Sequence, residues 1–267
     1  MTTVIINKNF LKYFKRNATK KEIEFYNNLY KKNPNLVSKV CKHIALLNIN
    51  IKNNIFSYSQ CGQDLFVYNY FKGKKNGFYI EMGAGDGIYI SNTKLLNECN
   101  WSGLLIEPSS IFESLNKNRS NDICVKELIS DKIEELDFIE INDTGQCLKN
   151  NTLLSKVLLK DNNDDTDNWT KNKVDQYGKI KNNIIIKTTT LEYILDKYNC
   201  PKEIDYFSLD VEGMEYKVLK NFPFDKYKIK LLGIEHPTNI ELLNILESNF
   251  IKIGKCGDDI FYKSKLV

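Results

Sequence analysis

From residue 55 onward, the chain alternates short apolar runs with segments of helical periodicity. The apolar runs lie at 77–82, 103–107, 122–128, 204–210 and 229–236. Continuous apolar runs of this length are typical of parallel strands buried on both faces. The segments between them predict helices over 91–99, 109–119, 190–198, 213–220 and 238–248. The alternation predicts an α/β fold with a doubly wound, mostly parallel sheet.

The two ends of the chain differ from this pattern. NFIKIGKC (249–256), Gly257-Asp258-Asp259 and IFYKSK (260–265) predict an antiparallel C-terminal hairpin. Residues 20–48 predict helices interrupted at Asn33-Pro34-Asn35. We therefore divide the chain into an N-terminal helical extension, 1–54, and an α/β domain, 55–267. The extension is compatible with packing on the flank of the sheet, with capping a pocket, or with a homodimer.

A polar, Asn- and Asp-rich insertion interrupts the α/β pattern near residues 142–183. Long loops of this kind are either functional or disordered, and we interpret this one as a partly mobile insertion on the substrate side. Within it, NTLLSKVLL (151–159) predicts a short helix. The flanking apolar segments 135–141 and 184–190 are expected to pair as strands.

Composition excludes several classes of protein. No uncharged apolar stretch approaches the roughly 18 residues of a membrane span, and the N-terminus lacks the features of a secretory signal. The net charge of +4 is too small to indicate a stable nucleic-acid partner. The seven cysteines are odd in number and never form CxxC, which favours reduced thiols in a cytoplasmic protein over disulfides or zinc.

A glycine-rich turn follows the first predicted strand in the sequence Glu81-Met-Gly83-Ala-Gly85-Asp86-Gly87. Alternating glycines allow a sharp turn and a close approach of ligand to backbone. A dinucleotide fingerprint would place its third glycine at position 88, where this chain has Ile88. The Glu81 carboxylate would repel a pyrophosphate and attract a cationic ligand. The loop therefore favours S-adenosylmethionine, which carries an ammonium and a sulfonium, over NAD.

Two further acidic positions end predicted strands. Glu107 ends the next strand twenty residues after Gly87, the usual place for a carboxylate that binds ribose hydroxyls, although it fits any adenosine cofactor. Asp210 and Glu212 follow the strand 204–210, and Glu235-His236-Pro237 ends the strand after it.

Neighbouring strand ends lie only about 5 Å apart, so Asp210, Glu212, Glu235 and His236 are expected to converge. The simpler interpretation is that some of these acids cap the following helix. For Glu215, which lies on that helix, we favour this structural role.

These motifs together resemble the FkbM family of methyltransferases over roughly residues 57–265. The matching segments are SQCGQD (59–64), GFYIEMGAGDGIYISNT (77–93), WSGLLIEPS (101–109), ISD (129–131), TTLEYIL (189–195), DYFSLDVEGMEYKVL (205–219) and GIEHP (233–237). The resemblance implies a Rossmann-like class I fold and methyl transfer from S-adenosylmethionine to oxygen, often on a sugar or glycosylated metabolite.

The resemblance also implies which residues bind the methyl donor. The implied residues are Glu81, Gly83, Gly85, Asp86, Ser91, Asn92, Glu107, Pro108, Ser130 and Asp131, with Gln60, Gln63 and Asp64 approaching from the preceding segment. The chain departs from the family pattern at Ser208, where a lysine is common, and at Gly85, where an asparagine is common. Ser208 argues against a lysine mechanism at that site, whereas Gly85 satisfies the backbone.

We therefore predict O-methylation of a sugar or glycan hydroxyl. Such a hydroxyl is barely ionised at neutral pH and needs a base or a metal. His236 and Asp210 are the candidate bases, with Glu212 beside them. A metal held by Asp210, Glu235 and His236 would be magnesium or manganese rather than zinc, because carboxylates prevail.

Three other functions are weighed against this one. RNA ribose 2′-O-methylation would use the same fold, but Ser208 and the mild charge disfavour it. A catalytically silent scaffold of the same fold is disfavoured by the intact acids Glu81, Glu107, Asp210 and Glu212. An NAD-dependent oxidoreductase is disfavoured by Ile88 and Glu81.

Overall fold

The computed structural model describes residues 2–30, 34–46, 55–141, 154–158 and 180–266. The strands are β1 (Phe78–Met82), β2 (Ser102–Ile106), β3 (Ile123–Val125), β4 (Glu135–Ile141), β5 (Leu154–Leu158), β6 (Ile180–Lys187), β7 (Glu203–Leu209), β8 (Lys228–Glu235), β9 (Phe250–Cys256) and β10 (Asp259–Ser264). The helices are α1 (Thr2–Phe14), α2 (Lys20–Leu29), α3 (Pro34–Leu46), α4 (Gln63–Tyr70), α5 (Lys94–Glu98), α6 (Phe112–Asn118), α7 (Leu191–Lys197), α8 (Glu215–Lys220) and α9 (Ile240–Asn249).

A seven-stranded sheet with the order β3-β2-β1-β7-β8-β10-β9 forms the centre of the molecule. The first five strands of that order are parallel, and β10 is antiparallel to both of its neighbours. The predicted α/β fold, with its mostly parallel sheet and antiparallel C-terminal hairpin, is confirmed. The chain moves outward from β1 to β3 and returns to β7 on the other side of β1. In open α/β sheets, ligands bind at the carboxyl ends of the strands where the order reverses in this way.

The apolar runs are continuous because each central strand is covered on both faces. Ile80 and Phe207 belong to one core, whereas their neighbours Tyr79 and Tyr206 belong to the core on the opposite face. All four side chains are fully buried. Burying such a side chain contributes about 1.5–3 kcal/mol, so both faces stabilise the sheet.

The C-terminal hairpin brings an additional residue to the carboxyl edge of the sheet. Gly257, with φ of +64°, makes the turn, and β10 inserts between β8 and β9. Asp259 is the first residue of β10 rather than part of the turn, and it lies opposite Glu235 in the register of β10 and β8.

A second sheet of three antiparallel strands has the order β5-β4-β6. The expected pairing of the two apolar flanks of the insertion is confirmed. The predicted helix over 151–159 is wrong, because residues 154–158 form β5. Val157 packs there in a cluster with Phe138, Leu128 and Met214, and this tertiary packing overrides local helix propensity. Residues 180–183 of the predicted polar insertion belong to β6, and residues 142–153 and 159–179 lie outside the described part of the chain.

The N-terminal helices pack on the α/β part through a shared core. Helices α2 and α3 agree with the prediction over 20–48 as far as residue 46, and residues 47–48 lie outside the described part. Thr19 begins α2 with a capping box to Glu22. Helices α1 and α4 were not predicted. Buried side chains of the first three helices share one cluster with Leu65, Tyr89 and Leu95, so the extension contacts the loop that follows β1.

Two expectations from composition concern membrane spans and thiols. Among the described residues, no helix has both the length and the apolar character that a membrane crossing requires. Each cysteine in the described part of the chain is a free thiol, and Cys147 lies outside that part.

Candidate active site

The glycine-rich turn after β1 lies against the ends of two neighbouring strands. Gly83, Gly85 and Gly87 have φ values of +75°, +55° and +76°, which favour glycine. A Cβ atom on Gly83 would lie 1.9 Å from the carbonyl oxygen of Asp210. The Gly83 N–H donates to the carbonyl of Ile106 (3.1 Å). Gly83 is therefore required by its close approach to the backbone of Asp210, and Gly87 by the side chains of Arg119 and Leu115, each 2.6 Å from its added Cβ.

Glu81 is buried beneath this turn and is engaged by protein donors. Its carboxylate accepts hydrogen bonds from the Ser91 hydroxyl (3.1 and 3.2 Å), the Asn92 N–H (2.7 Å) and the Thr93 hydroxyl (2.5 Å). Burial raises the pKa of Glu81, and the Arg119 guanidinium, 3.9 Å away, opposes that rise. Glu81 therefore holds the 91–93 loop in place beneath the turn.

Arg119 is a fully buried cation that the sequence analysis missed. Its guanidinium donates to the carbonyl of Gly87 (2.8 Å), the Tyr79 hydroxyl (2.6 Å) and the Asp122 carboxylate (2.9 Å). It also donates to the hydroxyl of Thr93 (3.1 Å). The residue thus links the end of α6 to both sides of the glycine-rich turn. A lone arginine in an Asn- and Lys-rich segment carries no motif that would reveal this role.

Glu107 lies directly after β2, beside the glycine-rich turn. One of its carboxylate oxygens accepts from the Gly85 N–H and the other from the Ser109 N–H, both at 2.9 Å. Burial raises the pKa of Glu107, and the bonds from Ser109 and Gly85 oppose the rise. The Ser109 hydroxyl also donates to this carboxylate, and because a carboxylate accepts about four hydrogen bonds in all, capacity remains for a ligand hydroxyl.

A cavity of about 460 Å³ opens at this edge of the sheet, within the range of small-molecule sites. One part of its lining is apolar and comprises Ile106, Leu128, Ile129, Phe138 and Val157. The polar part includes Lys39, Gln60, Gln63, Glu81, Ser91, Asn92, Glu107, Ser208, Asp210, Glu212, Glu235 and Asp259. Gly83, Gly85 and Pro108 also line it. The structure therefore gathers most of the predicted site residues in one place.

Three carboxylates meet at the end of the cavity formed by β7 and β8. Oxygen atoms of Asp210, Glu212 and Glu235 lie within 4.8 Å of one another. Burial, followed by the nearby charges of Glu235 and Glu212, raises the pKa of Asp210 well above its usual range. Glu212 has φ of +52°, a strained conformation of the kind that clusters at functional sites. An Asp210 carboxylate in this setting is a stronger base than an ordinary aspartate.

Asp259 adds a fourth carboxylate to the same region and was missed by the sequence analysis. Burial raises its pKa to about 7, against the opposing effect of the hydrogen bond from the Gln63 amide (2.7 Å). The residue reaches the cavity because β10 folds back beside β8. In the sequence, the predicted C-terminal hairpin is the feature that could have indicated that Asp259 reaches the cavity.

His236 is not brought into the cavity. Its side chain is 65% exposed, and its Nε2 lies 3.7 Å from the Asp258 carboxylate on the outside of the hairpin. The strand β8 ends at Glu235, and His236 has a left-handed φ of +41°, so the backbone turns there and carries the His236 side chain away from the cavity. Of the four residues expected to converge, Asp210, Glu212 and Glu235 do so, whereas the expectation is wrong for His236.

Four other predicted donor-site residues lie outside the cavity lining in the described part of the chain. Asp86 accepts from the N–H groups of Ile88 and Tyr89. The Ser130 hydroxyl donates to Asp131, whose carboxylate lies 3.2 Å from the Lys220 ammonium. Asp64 accepts from both hydroxyls of Ser57 and Ser59 (2.6 and 2.8 Å). These residues stabilise loops around the cavity.

Asn92 has a buried acceptor that the protein leaves unused. Its Nδ2 donates to the Ser208 hydroxyl (3.0 Å), and both residues line the cavity. The Asn92 Oδ1 has no hydrogen-bond partner in the part of the chain that the structure describes. Buried polar atoms are nearly always satisfied, so this oxygen points to a donor group on a bound ligand.

Comparison with protein families agrees with this geometry. The family model described as "Methyltransferase FkbM domain" matches residues 81–254, about two thirds of the chain. The chain belongs to the FkbM methyltransferase family. The matched region of this FkbM methyltransferase contains Glu81, Glu107, Asp210 and Glu235 but excludes Lys39, Gln60, Gln63 and Asp259.

Solved structures resemble the FkbM methyltransferase only distantly. One is the fibrillarin/Nop5p complex, with 12% identity and a TM-score of 0.33 over 77% of this chain and 80% of the other. Another is a protein of Pyrococcus horikoshii named as a putative RNA methyltransferase. It has 10% identity and a TM-score of 0.34, and the match covers 83% of this chain and 96% of the other. At these scores neither neighbour bears on the function. A comparison with curated proteins finds no match.

Proposed function

We propose that this protein transfers a methyl group from S-adenosylmethionine to a hydroxyl of a sugar or another small glycosylated acceptor. The observation that carries the proposal is one cavity with two chemically distinct ends. Glu107 and an apolar wall lie at the end formed by β2, whereas Asp210, Glu235 and Asp259 lie at the end formed by β7, β8 and β10. Such a division suits a nucleoside donor beside a polar acceptor.

The end near β2 has the chemistry of a nucleoside site. Leu128, Ile129, Phe138 and Val157 supply apolar surface for an adenine ring. Glu107 is placed to accept hydrogen bonds from the two ribose hydroxyls. The acids around the cavity favour the ammonium and sulfonium of this donor over the pyrophosphate of a dinucleotide.

Asp210 is the group to which we assign the acceptor proton. In the reaction, the acceptor oxygen forms a bond to the methyl carbon as the bond from that carbon to sulfur breaks. The positive charge on sulfur disappears, and the hydroxyl proton passes to the Asp210 carboxylate. Burial and the nearby charges of Glu235 and Glu212 raise the pKa of Asp210, which makes its carboxylate a stronger base than an ordinary aspartate. Holding oxygen, methyl and sulfur in line supplies much of the remaining acceleration.

A divalent metal is compatible with the same acids. Asp210, Glu212 and Glu235 offer only oxygen ligands, which suit Mg²⁺ or Mn²⁺ better than Zn²⁺. If bound, the ion would polarise the acceptor hydroxyl. The exposed position of His236 removes it from the set of ligands that we propose.

The negative lining at the acceptor end favours a neutral acceptor over RNA. Asp210, Glu212, Glu235 and Asp259 would repel the phosphates that flank a ribose 2′-hydroxyl. RNA therefore serves as a contrasting acceptor in the experiment below.

The test is methyl transfer from labelled S-adenosylmethionine to a panel of nucleotide sugars, glycosides, glycans and a short RNA. Products are identified by mass spectrometry. We expect O-methylation of a sugar hydroxyl, and a loss of about 10²–10⁴-fold in rate for Asp210→Asn with donor affinity retained. Exclusive methylation of RNA, or full activity in Asp210→Asn, would contradict the proposal. Repeating the assay in EDTA, and then with added Mg²⁺, tests for a metal requirement.

A further inference from the structure

Lys39, on helix α3, is the one cation among the described residues that line the cavity. No described carboxylate lies within ion-pair distance of its ammonium group, although acids line much of the same cavity. A lysine that reaches a polar cavity without pairing to an acid is available to an anionic ligand group. It lies outside the region that the family model matches.

The position of Lys39 is fixed by contacts to the segment before α4. Its ammonium donates to the Gln60 side-chain oxygen (2.7 Å). The neighbouring Ser59 forms a β-bridge with Ile90, in the loop that follows the glycine-rich turn. The Tyr30 hydroxyl also contacts the carbonyl of Ser59 (3.4 Å). Lys39 and Gln60 are therefore held beside the 90–92 loop.

The methyl donor carries one anionic group. Its nucleoside is assigned above to Glu107 at the end of β2, and the transferable methyl must face Asp210 at the end of β7. The methionine part then crosses the end of β1, which lies between these strands, and passes the loop that contains Ile90 and Asn92. The ammonium of this part is attracted by the acids and by the unused Asn92 oxygen. Its carboxylate would be repelled by the acids of the lining, and Lys39 is the cation that the described lining residues offer it.

We propose that Lys39, aligned by Gln60, binds the methionine carboxylate of S-adenosylmethionine. This inference rests on the proposed function, since it takes that donor as the ligand. It gives the N-terminal helices a direct part in donor binding. An anionic acceptor at Lys39 is the competing assignment, and the experiment separates the two.

The experiment compares ligands with and without the carboxylate on matched variants. Binding of S-adenosylmethionine and of decarboxylated S-adenosylmethionine is measured by calorimetry for the full-length wild type, Lys39→Met and Lys39→Arg. Lys42→Met is the control, because Lys42 lies exposed on the same helix. The decarboxylated ligand controls for any disturbance of Gln60, because such a disturbance would weaken both ligands equally.

We expect Lys39→Met to weaken binding of S-adenosylmethionine by about ten- to hundredfold and binding of the decarboxylated ligand by less than about threefold. Lys39→Arg should retain most of the affinity and Lys42→Met all of it. An equal loss for both ligands would overturn the inference, and so would undiminished affinity for S-adenosylmethionine in Lys39→Met, which is the result expected if Lys39 binds an anionic acceptor instead. Absence of binding to the wild-type protein would instead show that the proposed function has failed.

Discussion

Replacement of Gly83 by alanine tests whether the glycine-rich turn must approach the end of β7. The new Cβ would lie 1.9 Å from the carbonyl oxygen of Asp210, so the two atoms must separate by more than 1 Å. Gly73→Ala is a matched control, since its φ of +72° is close to the +75° of Gly83. The Cβ at position 73 would meet only the hydroxyl end of the Tyr68 side chain, at 3.0 Å.

The two variants share the cost of a left-handed backbone and differ in the steric clash. That backbone cost is about 1–2 kcal/mol for an L-residue. Overpacking against fixed backbone adds about 1–3 kcal/mol. We therefore expect the free energy of unfolding to fall by about 1–2 kcal/mol in Gly73→Ala and by about 2–5 kcal/mol in Gly83→Ala.

The donor affinity should separate the variants more sharply than stability does. To relieve the clash, either the glycine-rich turn or the backbone of Asp210 must move. Gly85, in that turn, and Asp210 both line the cavity. We expect Gly83→Ala to lose more than about tenfold in affinity for S-adenosylmethionine and Gly73→Ala to lose none. Urea denaturation and calorimetry on folded protein measure the two quantities. Wild-type affinity in Gly83→Ala would refute the close approach.

Three further predictions concern titration, burial and exposure. Asp259 ionises near pH 4 when unfolded and near pH 7 when folded, so its contribution to the free energy of unfolding should fall as pH rises from about 4 to about 7. In urea titrations, Asp259→Asn should therefore lose less stability over this range than the wild type does, and identical pH dependence in the two proteins would contradict the assignment. Arg119→Met leaves buried Asp122 and Glu81 without their cation, so we expect the free energy of unfolding to fall by about 3–5 kcal/mol. A loss below about 1 kcal/mol would show that the ion pairs of Arg119 contribute little to stability. His236→Ala should retain kcat/KM within about twofold, because the side chain is exposed outside the cavity. A hundredfold loss of kcat/KM would show that His236 takes part in the reaction.

The sheet was predictable because burial on both faces leaves a local mark in the sequence. Strands such as 204–210 form continuous apolar runs in the sequence. Because these strands are parallel, the acids that end them are placed at the same edge of the sheet. Asp210 and Glu235 were correctly placed together on this basis. The strand β5 was not predictable, because Leu154–Leu158 has no decisive local pattern and pairs with β4 through tertiary contacts.

The errors in the site have similar physical causes. The strand β8 ends at Glu235 and the backbone of His236 is left-handed, with φ of +41°, and nothing in the local sequence reveals this change of direction. Asp259 and Lys39 reach the cavity from a hairpin and a helix distant in sequence, so no spacing rule connects them to Glu107. The role of Glu81 in donor binding stays a prediction; the sequence did not reveal that its oxygens accept from Ser91, Asn92 and Thr93. Its replacement would therefore disturb the loop as well as the charge.

Calorimetric titration of S-adenosylmethionine into wild type, Glu107→Gln and Glu113→Gln is the most direct test of the central claim. Glu107 lines the cavity, whereas Glu113 is exposed on α6. The account predicts a single donor site in wild type, an affinity about ten- to hundredfold lower in Glu107→Gln, and no change in Glu113→Gln. No donor binding by folded wild-type protein, or undiminished affinity in Glu107→Gln, would contradict it.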